Sequence, residues 1–262
     1  PDNTIRYRYP NVRSSFPKYP RTSVIIDYYI PKDIKGGIQL EILNANNEVV
    51  STILSDSTKL KSSVKEVEDM NLSQILRYVD KKLIAKPGIN RFEWDLRQKG
   101  AWAKDVKKSY KNGPMVAPGI YTARLTMGEQ SLEQSFEILI DPRVKAEGIT
   151  KTTINEQIAM QNKIIDLLSE ARKLEASLEK EAKSLKKKKA KAKVARLKQI
   201  KTVLKQLQNE KKGAYPQQML LSQMSYLLNM ISRADQLPGE EAKNRYDELV
   251  VQFNKLKQEA SK

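Results

Sequence analysis

The prevailing spacing of apolar residues changes close to Gly148, apart from an earlier interruption at about 55–85. Before that point, apolar and polar residues alternate, which is the period-2 pattern of half-buried β-strands. After it, apolar residues recur every three or four positions, which is the pattern of amphipathic helices. A run of strands followed by a run of helices is typical of α+β proteins with separate cores. The sequence therefore predicts an α+β multidomain protein, an antiparallel β-sandwich followed by an antiparallel four-helix bundle.

The clearest predicted strand contains Trp94, where three apolar residues alternate with charged ones. Further along, Pro118-Gly119 predicts a turn, because proline presets φ and glycine accepts the positive φ that a type II turn needs. Tyr121 then begins the apolar face of another strand. Together these features predict the centre of a sandwich over about residues 21–145. The residues that we assign to its structural core are Trp94, Asp95, Pro118, Gly119 and Tyr121.

The segments outside these strands have distinct compositions. Residues 1–20 are rich in Pro, Tyr and Arg, and their prolines predict an extended linker. Residues at about 55–85 have apolar spacings of three and four, which predict a helical insertion in the sandwich. The four helices of the bundle are expected within 150–262, with Thr153 as the N-cap of the first. We expect the first two helices to be separated by a turn within 184–193.

Histidine and cysteine are both absent from the 262 residues. Their absence excludes Ser-His-Asp and Cys-His catalysis, disulfides, and imidazole or thiolate metal sites within this chain. Glu93 and Asp95 share one face of a strand, as a glycosidase carboxylate pair would. Arg91 and Arg97 flank them, however, and are expected to hold both carboxylates ionised. We therefore predict a non-enzymatic chain with no catalytic, cofactor-binding or metal-binding residues.

The net charge is +17, and much of the excess lies in one predicted helical stretch. Between Lys186 and Lys212 the sequence holds 12 basic residues and a single acidic residue, Glu210. Such a stretch is either a solvated face or a polyanion site whose affinity falls steeply with salt. It lacks interleaved aromatic residues, which disfavours nucleic acid as the partner. The candidate contacts are Lys186, Lys187, Lys188, Lys189, Lys191, Lys193, Arg196 and Lys198.

A second group of candidate contacts lies in the basic loop that precedes Pro114. Its tryptophan is surrounded in sequence by lysines, so the ring is a candidate for an exposed contact with a partner. The alternative is that the ring packs within the loop, which is the commoner place for a large aromatic side chain. The candidate residues of this loop are Trp102, Lys104, Lys107 and Lys108.

Several motifs together resemble a known family. They are the segments 87–97, 113–126 and 141–143, with 215–216 and 233–238 in the helical part. These segments resemble the C-terminal region of bacterial sortilin-like β-propeller proteins, which are common in Bacteroidota and often labelled glycosyl-hydrolase-like. The strands also resemble the immunoglobulin-like domain of flagellar hook-capping proteins. The resemblance covers nearly the whole chain and implies that the sandwich is immunoglobulin-like.

The resemblance also implies a context and a role for the chain. It implies a propeller upstream of Pro1, in a protein that is secreted or held in the periplasm or outer surface of the cell envelope. The chain would then be a non-catalytic scaffold or binding arm for its own propeller, and for another envelope protein or an anionic surface. One alternative is a glycan-acting enzyme whose active site lies in the propeller. Another is a basic module that binds polyanions or nucleic acid. No apolar run approaches the roughly 20 residues of a transmembrane helix, so no membrane span is predicted.

Overall fold

The structure is a computed structural model that describes residues 22–33, 36–55, 83–105, 108–185, 191–209 and 217–261. The predicted linker at 1–20 and nearly all of the predicted insertion at 55–85 lie outside these ranges. The described part is α+β, with two antiparallel sheets and five helices. None of the described helices is both long enough and apolar enough to cross a membrane.

The described strands form two separate sheets. Their bounds are β1 (Val24–Ile30), β2 (Ile38–Leu43), β3 (Val49–Leu54), β4 (Gly88–Trp94), β5 (Gly119–Met127) and β6 (Gln130–Ile138). Strands β1 and β4 pair with each other, and the other four lie in the order β3-β2-β5-β6. Every pair of neighbours is antiparallel. The antiparallel pairing predicted from the alternating pattern is therefore confirmed.

The hairpin turn between β2 and β3 is held by one asparagine. The Oδ1 atom of Asn44 accepts hydrogen bonds from the N–H groups of Asn46 at 2.9 Å and Glu48 at 3.0 Å. Asn47 has a φ of 61°, a left-handed conformation that asparagine adopts more readily than most residues. The side-chain hydrogen bonds of Asn44 and the left-handed backbone of Asn47 thus account for this hairpin turn.

The apolar faces of the two sheets share one core. Trp94 of β4 is 1% exposed, and its ring meets Tyr121 of β5 and Phe136 of β6 edge-on. The ring centroids are 6.2 and 6.3 Å apart, respectively. Such edge-to-face contacts add to the large apolar area that a buried indole removes from water. Trp94 therefore connects the two-stranded sheet to the four-stranded one.

The strand that contains Trp94 is shorter than the alternating pattern predicts. The pattern continues to Arg97, but β4 ends at Trp94 because Leu96 has a φ of 61°, which breaks the extended backbone. The assignment of Asp95 to the core is wrong, since this side chain is only half-buried. Its carboxylate accepts the N–H of Arg97 at 3.3 Å, so it supports the bend after the strand.

The helical part contains one helix more than the four predicted. The helices are α1 (Pro142–Ala146), α2 (Lys151–Leu185), α3 (Lys191–Leu207), α4 (Leu220–Ile231) and α5 (Glu240–Ser261). The additional helix, α1, starts where the sequence suggested only an end to the sheet region. Asp141 accepts the N–H of Arg143 at 2.9 Å, and Pro142 occupies a first-turn position where a missing N–H costs nothing.

The four longer helices pack around a second apolar core. Each of them contributes a side chain that is fully buried, namely Ile164, Ile200, Met224 and Leu249 in chain order. Full burial of one such side chain contributes about 1.5–3 kcal/mol to the free energy of unfolding. These residues belong to a core separate from that of the sheets, as the change of hydrophobic period indicates.

The first long helix begins earlier than its predicted cap. The sequence suggested Thr153 as the N-cap of α2, but the helix begins at Lys151. The hydroxyl oxygen of Thr150 accepts the N–H of Thr153 at 3.2 Å, so Thr150 supplies the capping contact with the same chemistry. The turn expected within 184–193 falls mostly on residues 186–190, which lie outside the described part; α2 ends at Leu185 and α3 begins at Lys191.

Replacement of Trp94 by alanine is expected to lower the free energy of unfolding by about 3–5 kcal/mol, because it leaves a cavity between the sheets. A urea titration followed by far-UV circular dichroism measures this change. Trp102→Ala is the matched control, since Trp102 is only half-buried and its truncation should cost less. Equal stability of Trp94→Ala and the unchanged protein would contradict the assignment of Trp94 to the core.

Candidate functional site

The segment between β4 and β5, called here the 97–114 arm, contains two antiparallel backbone segments (the two legs of the arm) that hydrogen-bond to each other. Within it, the Gly100 N–H donates to the Tyr110 carbonyl at 3.0 Å, and the Tyr110 N–H donates to the Ala101 carbonyl at 2.9 Å. A Cβ atom at Gly100 would overlap the carbonyl oxygen of Lys111, so only glycine allows the two legs to approach this closely. The described residues of the arm are therefore held together by their own hydrogen bonds.

The 97–114 arm lies against helix α2. The Trp102 N–H donates to Ser169 Oγ at 3.0 Å, and Arg172 Nη1 donates to the Trp102 carbonyl at 3.1 Å. Ala101 is buried in the apolar core of the helices, not in the core of the sheets. The backbone N–H and the backbone carbonyl of Trp102 thus both bind helix α2. These contacts connect the sheet region to the helical region.

A cleft of about 750 Å³ lies between the 97–114 arm, α2 and the end of α4. This volume is within the roughly 300–1,000 Å³ that is usual for small-molecule sites. Positive charge dominates its lining, and Glu175 is the one acidic side chain among the described residues that line it. The cationic side chains are those of Arg97, Lys104, Lys108, Lys111, Arg172 and Arg233.

Burial shifts the pKa values of the basic and acidic groups of the cleft in opposite directions. Burial lowers the pKa of the Arg172 guanidinium, which nevertheless stays protonated near neutral pH. Burial raises the pKa of the Glu175 carboxyl, and a hydrogen bond from Gln208 partly opposes that rise. The Lys104 ammonium binds Glu179 and lowers the pKa of that carboxyl. The pKa of Glu175 in the lining is therefore raised, whereas that of the neighbouring Glu179 is lowered.

The loop residues singled out from the sequence fall in different places. Lys104 and Lys108 line the cleft, whereas Lys107 lies outside the described residues. Trp102 is half-buried, and the contacts described above involve its backbone. Sequence reasoning missed Arg172 and Arg233 because nothing in their local pattern separates them from ordinary polar positions of a helical region.

The lysine-rich stretch is described only in part. Outside the described residues lie Lys186, Lys187, Lys188, Lys189 and the side chain of Lys191. Lys193 is half-buried and Lys198 is exposed. Arg196 donates to both carboxylate oxygens of Glu181, at 2.8 and 3.1 Å, and to the Ala260 carbonyl at 2.7 Å. Arg196 therefore ties α3 to α2 and α5, a structural role that the expectation of a partner contact did not include.

Arg91 interacts electrostatically with Glu93, as expected, but its side-chain hydrogen bonds go to a third carboxylate. Arg91 donates to both carboxylate oxygens of Asp27, at 2.7 and 2.8 Å, from the strand position directly opposite. This hydrogen bonding lowers the pKa of Asp27. Arg97 donates to a carbonyl of the 97–114 arm. Among the described residues, no group of three or more ligand side chains could hold a metal ion.

Comparisons with known proteins find no relative of this chain. A scan against protein-family models gives no match for this chain, and searches of curated proteins and of solved structures give none either. The resemblance to sortilin-like proteins therefore stays a prediction.

Substitution of Ser169 by alanine is expected to lower the free energy of unfolding by about 1–3 kcal/mol, because it leaves the Trp102 N–H without its acceptor. Urea titration gives the stability, and amide hydrogen exchange at Trp102 gives the local effect. Ser225→Ala is the matched control, because Ser225 donates to the Leu221 carbonyl one turn earlier in the same way as Ser169 donates to Ile165. Equal exchange protection of Trp102 in both variants would contradict the anchoring role of Ser169.

The raised pKa of the Glu175 carboxyl predicts that the free energy of unfolding depends on pH. Because burial raises its pKa above 4.5, the folded chain binds this proton more tightly than the unfolded chain does. Stability therefore falls as the pH rises from about 4.5 through the raised folded-state value. Glu175→Gln removes this fall, so the stability of the variant relative to the unchanged protein should increase over that range.

Urea titrations at several pH values measure this difference. Glu156→Gln, which removes an exposed carboxyl from the same helix, controls for the loss of one negative charge. The same pH profile for both variants would show that the burial of Glu175 has no energetic effect.

Proposed function

We propose that this chain is a non-catalytic accessory region of a larger secreted or cell-envelope β-propeller protein, in which it acts as a scaffold and protein-binding arm. In this proposal the two sheets form an immunoglobulin-like sandwich, and the four longer helices form an antiparallel four-helix bundle. The observation that carries the proposal is an exposed apolar strip on the outer face of the β1–β4 sheet.

Tyr121 supports the immunoglobulin-like part of the proposal. Its ring is buried, and its hydroxyl donates to the Ala117 carbonyl at 2.7 Å. A buried tyrosine whose hydroxyl binds the backbone a few residues upstream is the tyrosine corner of immunoglobulin-like sandwiches. The contact of the same ring with Trp94 of the opposite sheet is also the type of packing that a sandwich core contains.

The apolar strip consists of Ile25, Tyr29 and Ile89, which are 55%, 62% and 84% exposed. Tyr29 and Ile89 lie directly opposite each other in the register of β1 and β4. The ion pair of Asp27 with Arg91 lies on the same face, between Ile25 and the pair formed by Tyr29 and Ile89. Exposed apolar residues grouped beside polar ones are typical of surfaces that bind another protein.

The occupant that we propose for the strip is the upstream propeller. Strand β1 is the first described element, so the strip belongs to the described part that is nearest in sequence to an upstream domain. A sheet face that packs on a second folded unit buries apolar side chains, and this strip offers three of them. In this role the chain supplies a rigid surface and takes no part in chemistry.

Replacement of Ile89 by aspartate is expected to weaken binding to the propeller, supplied as a separate polypeptide, by about tenfold or more. The reason is that an aspartate at this position would lose its hydration in the contact. Because Ile89 is largely exposed, the thermal stability of the chain itself should not change. Surface plasmon resonance measures the dissociation constant.

Leu132→Asp is the matched control, at an apolar position that is 62% exposed on β6 of the other sheet. It should bind the propeller as the unchanged chain does. Equal weakening by both substitutions would contradict the strip as the interface. A failure of the unchanged chain to bind the propeller at all would overturn the proposed function.

A further inference from the structure

We propose that the cleft between the 97–114 arm, α2 and the end of α4 binds a small organic polyanion that carries phosphate or carboxylate groups on a hydroxylated frame. This inference goes beyond the scaffold role, because it concerns a ligand and a surface that the apolar strip does not include. It does not depend on the presence of a propeller.

The first argument is the charge of the cleft. Lys104 has a carboxylate partner in Glu179, and Lys108 lies 3.9 Å from Asp105. Arg97, Arg172 and Arg233 also line the cleft, and Glu175 balances the charge of only one of them. Cations gathered from separate parts of the chain repel one another, so their placement around one concave surface favours an anion there.

A lysine close to the contact between the 97–114 arm and α2 has a shifted pKa. Lys99 of the 97–114 arm has its pKa lowered, first by burial and then by the positive charge of Lys173 on α2, while the negative charge of Asp166 opposes the shift. Its ammonium lies 3.9 Å from the centre of the Tyr110 ring, a cation–π contact that helps to keep it charged. The meeting of the arm with α2 thus brings cations together beyond those that line the cleft.

The second argument is that the guanidinium groups are already held in place. Arg172 donates to the Trp102 carbonyl, and Arg97 donates to a carbonyl of the same arm at 2.9 Å. Arg233 donates to Asn229 Oδ1 at 3.1 Å. These bonds use a minority of the five N–H donors of each guanidinium. A positioned guanidinium matches two oxygens of a phosphate or carboxylate at a small entropic cost.

The third argument is the uncharged part of the lining, which fits a small ligand better than a macromolecule. Two leucines supply apolar surface, and amide and hydroxyl groups supply donors and acceptors for ligand hydroxyls. Among the described lining residues none is aromatic, so stacking of nucleic-acid bases has no support. These neutral residues are Leu168, Leu228, Asn112, Asn229, Ser225 and Ser232.

Isothermal titration calorimetry with pyrophosphate, citrate and sucrose tests the proposal. The expected result is saturable binding of pyrophosphate or citrate at one site per chain, with an affinity that falls as salt is added. Whichever anion binds more tightly shows whether the cleft prefers phosphate or carboxylate groups. Sucrose, which carries no charge, should not bind. Binding of neither anion, or equal binding of sucrose, would overturn the proposal.

Variants locate the binding site within the chain. Arg233→Gln is expected to weaken binding of the preferred anion by about tenfold to a hundredfold, since one charge-assisted hydrogen bond is lost. Arg233 is exposed, so the variant should keep its melting temperature, and Lys108→Gln is a second variant with the same expectation. Lys201→Gln is the matched control, because it removes one charge from an exposed position on α3.

Equal weakening by the control and by Arg233→Gln would show that binding follows net charge and would overturn the cleft as the site. Binding of Arg233→Gln to the propeller is expected to match that of the unchanged chain. The loss of anion binding and the loss of propeller binding can therefore be told apart.

Discussion

The backbone of Trp102 is bound to helix α2 through both of its polar groups, and the arrangement of the rest of the molecule depends on this contact. The N–H group finds its acceptor in Ser169, and the carbonyl finds its donor in Arg172. The sheets and the helices have separate apolar cores, so the change of hydrophobic period alone would allow two independent units. The 97–114 arm joins the two regions: its backbone connects strands β4 and β5, and its hydrogen bonds go to helix α2.

This connection also creates the basic cleft. The arm contributes Arg97 and three lysines, while α2 and the end of α4 contribute the other cations. If the arm moved away from α2, these charges would separate and the concave surface would be lost. An anion that binds both sides would stabilise the closed arrangement by mass action. Anion binding and the rigidity of the junction are therefore expected to reinforce each other, while the apolar strip on the β1–β4 sheet remains available to a protein partner.

Local patterns in the sequence predicted the elements that depend on local physics, and missed those that depend on distant partners. The alternation around Trp94 predicted a strand with a buried indole, because burial and strand period are linked. The positive φ of Leu96 has no such signal. Gln157, buried among apolar side chains, donates to the Ile231 carbonyl at 2.7 Å, which only the folded helix pair reveals. Arg172 and Arg233 were missed for the same reason, since their roles arise where separate elements meet.

Residual dipolar couplings of backbone amides test most directly whether the arm holds the sheets and helices as one body. Couplings would be measured in a weakly aligned sample for strands β2 and β5 and for helices α2 and α5. A single alignment tensor that fits both sets is the result that this account predicts. Two tensors of different magnitude would show that the regions reorient independently, and would contradict a fixed cleft between them.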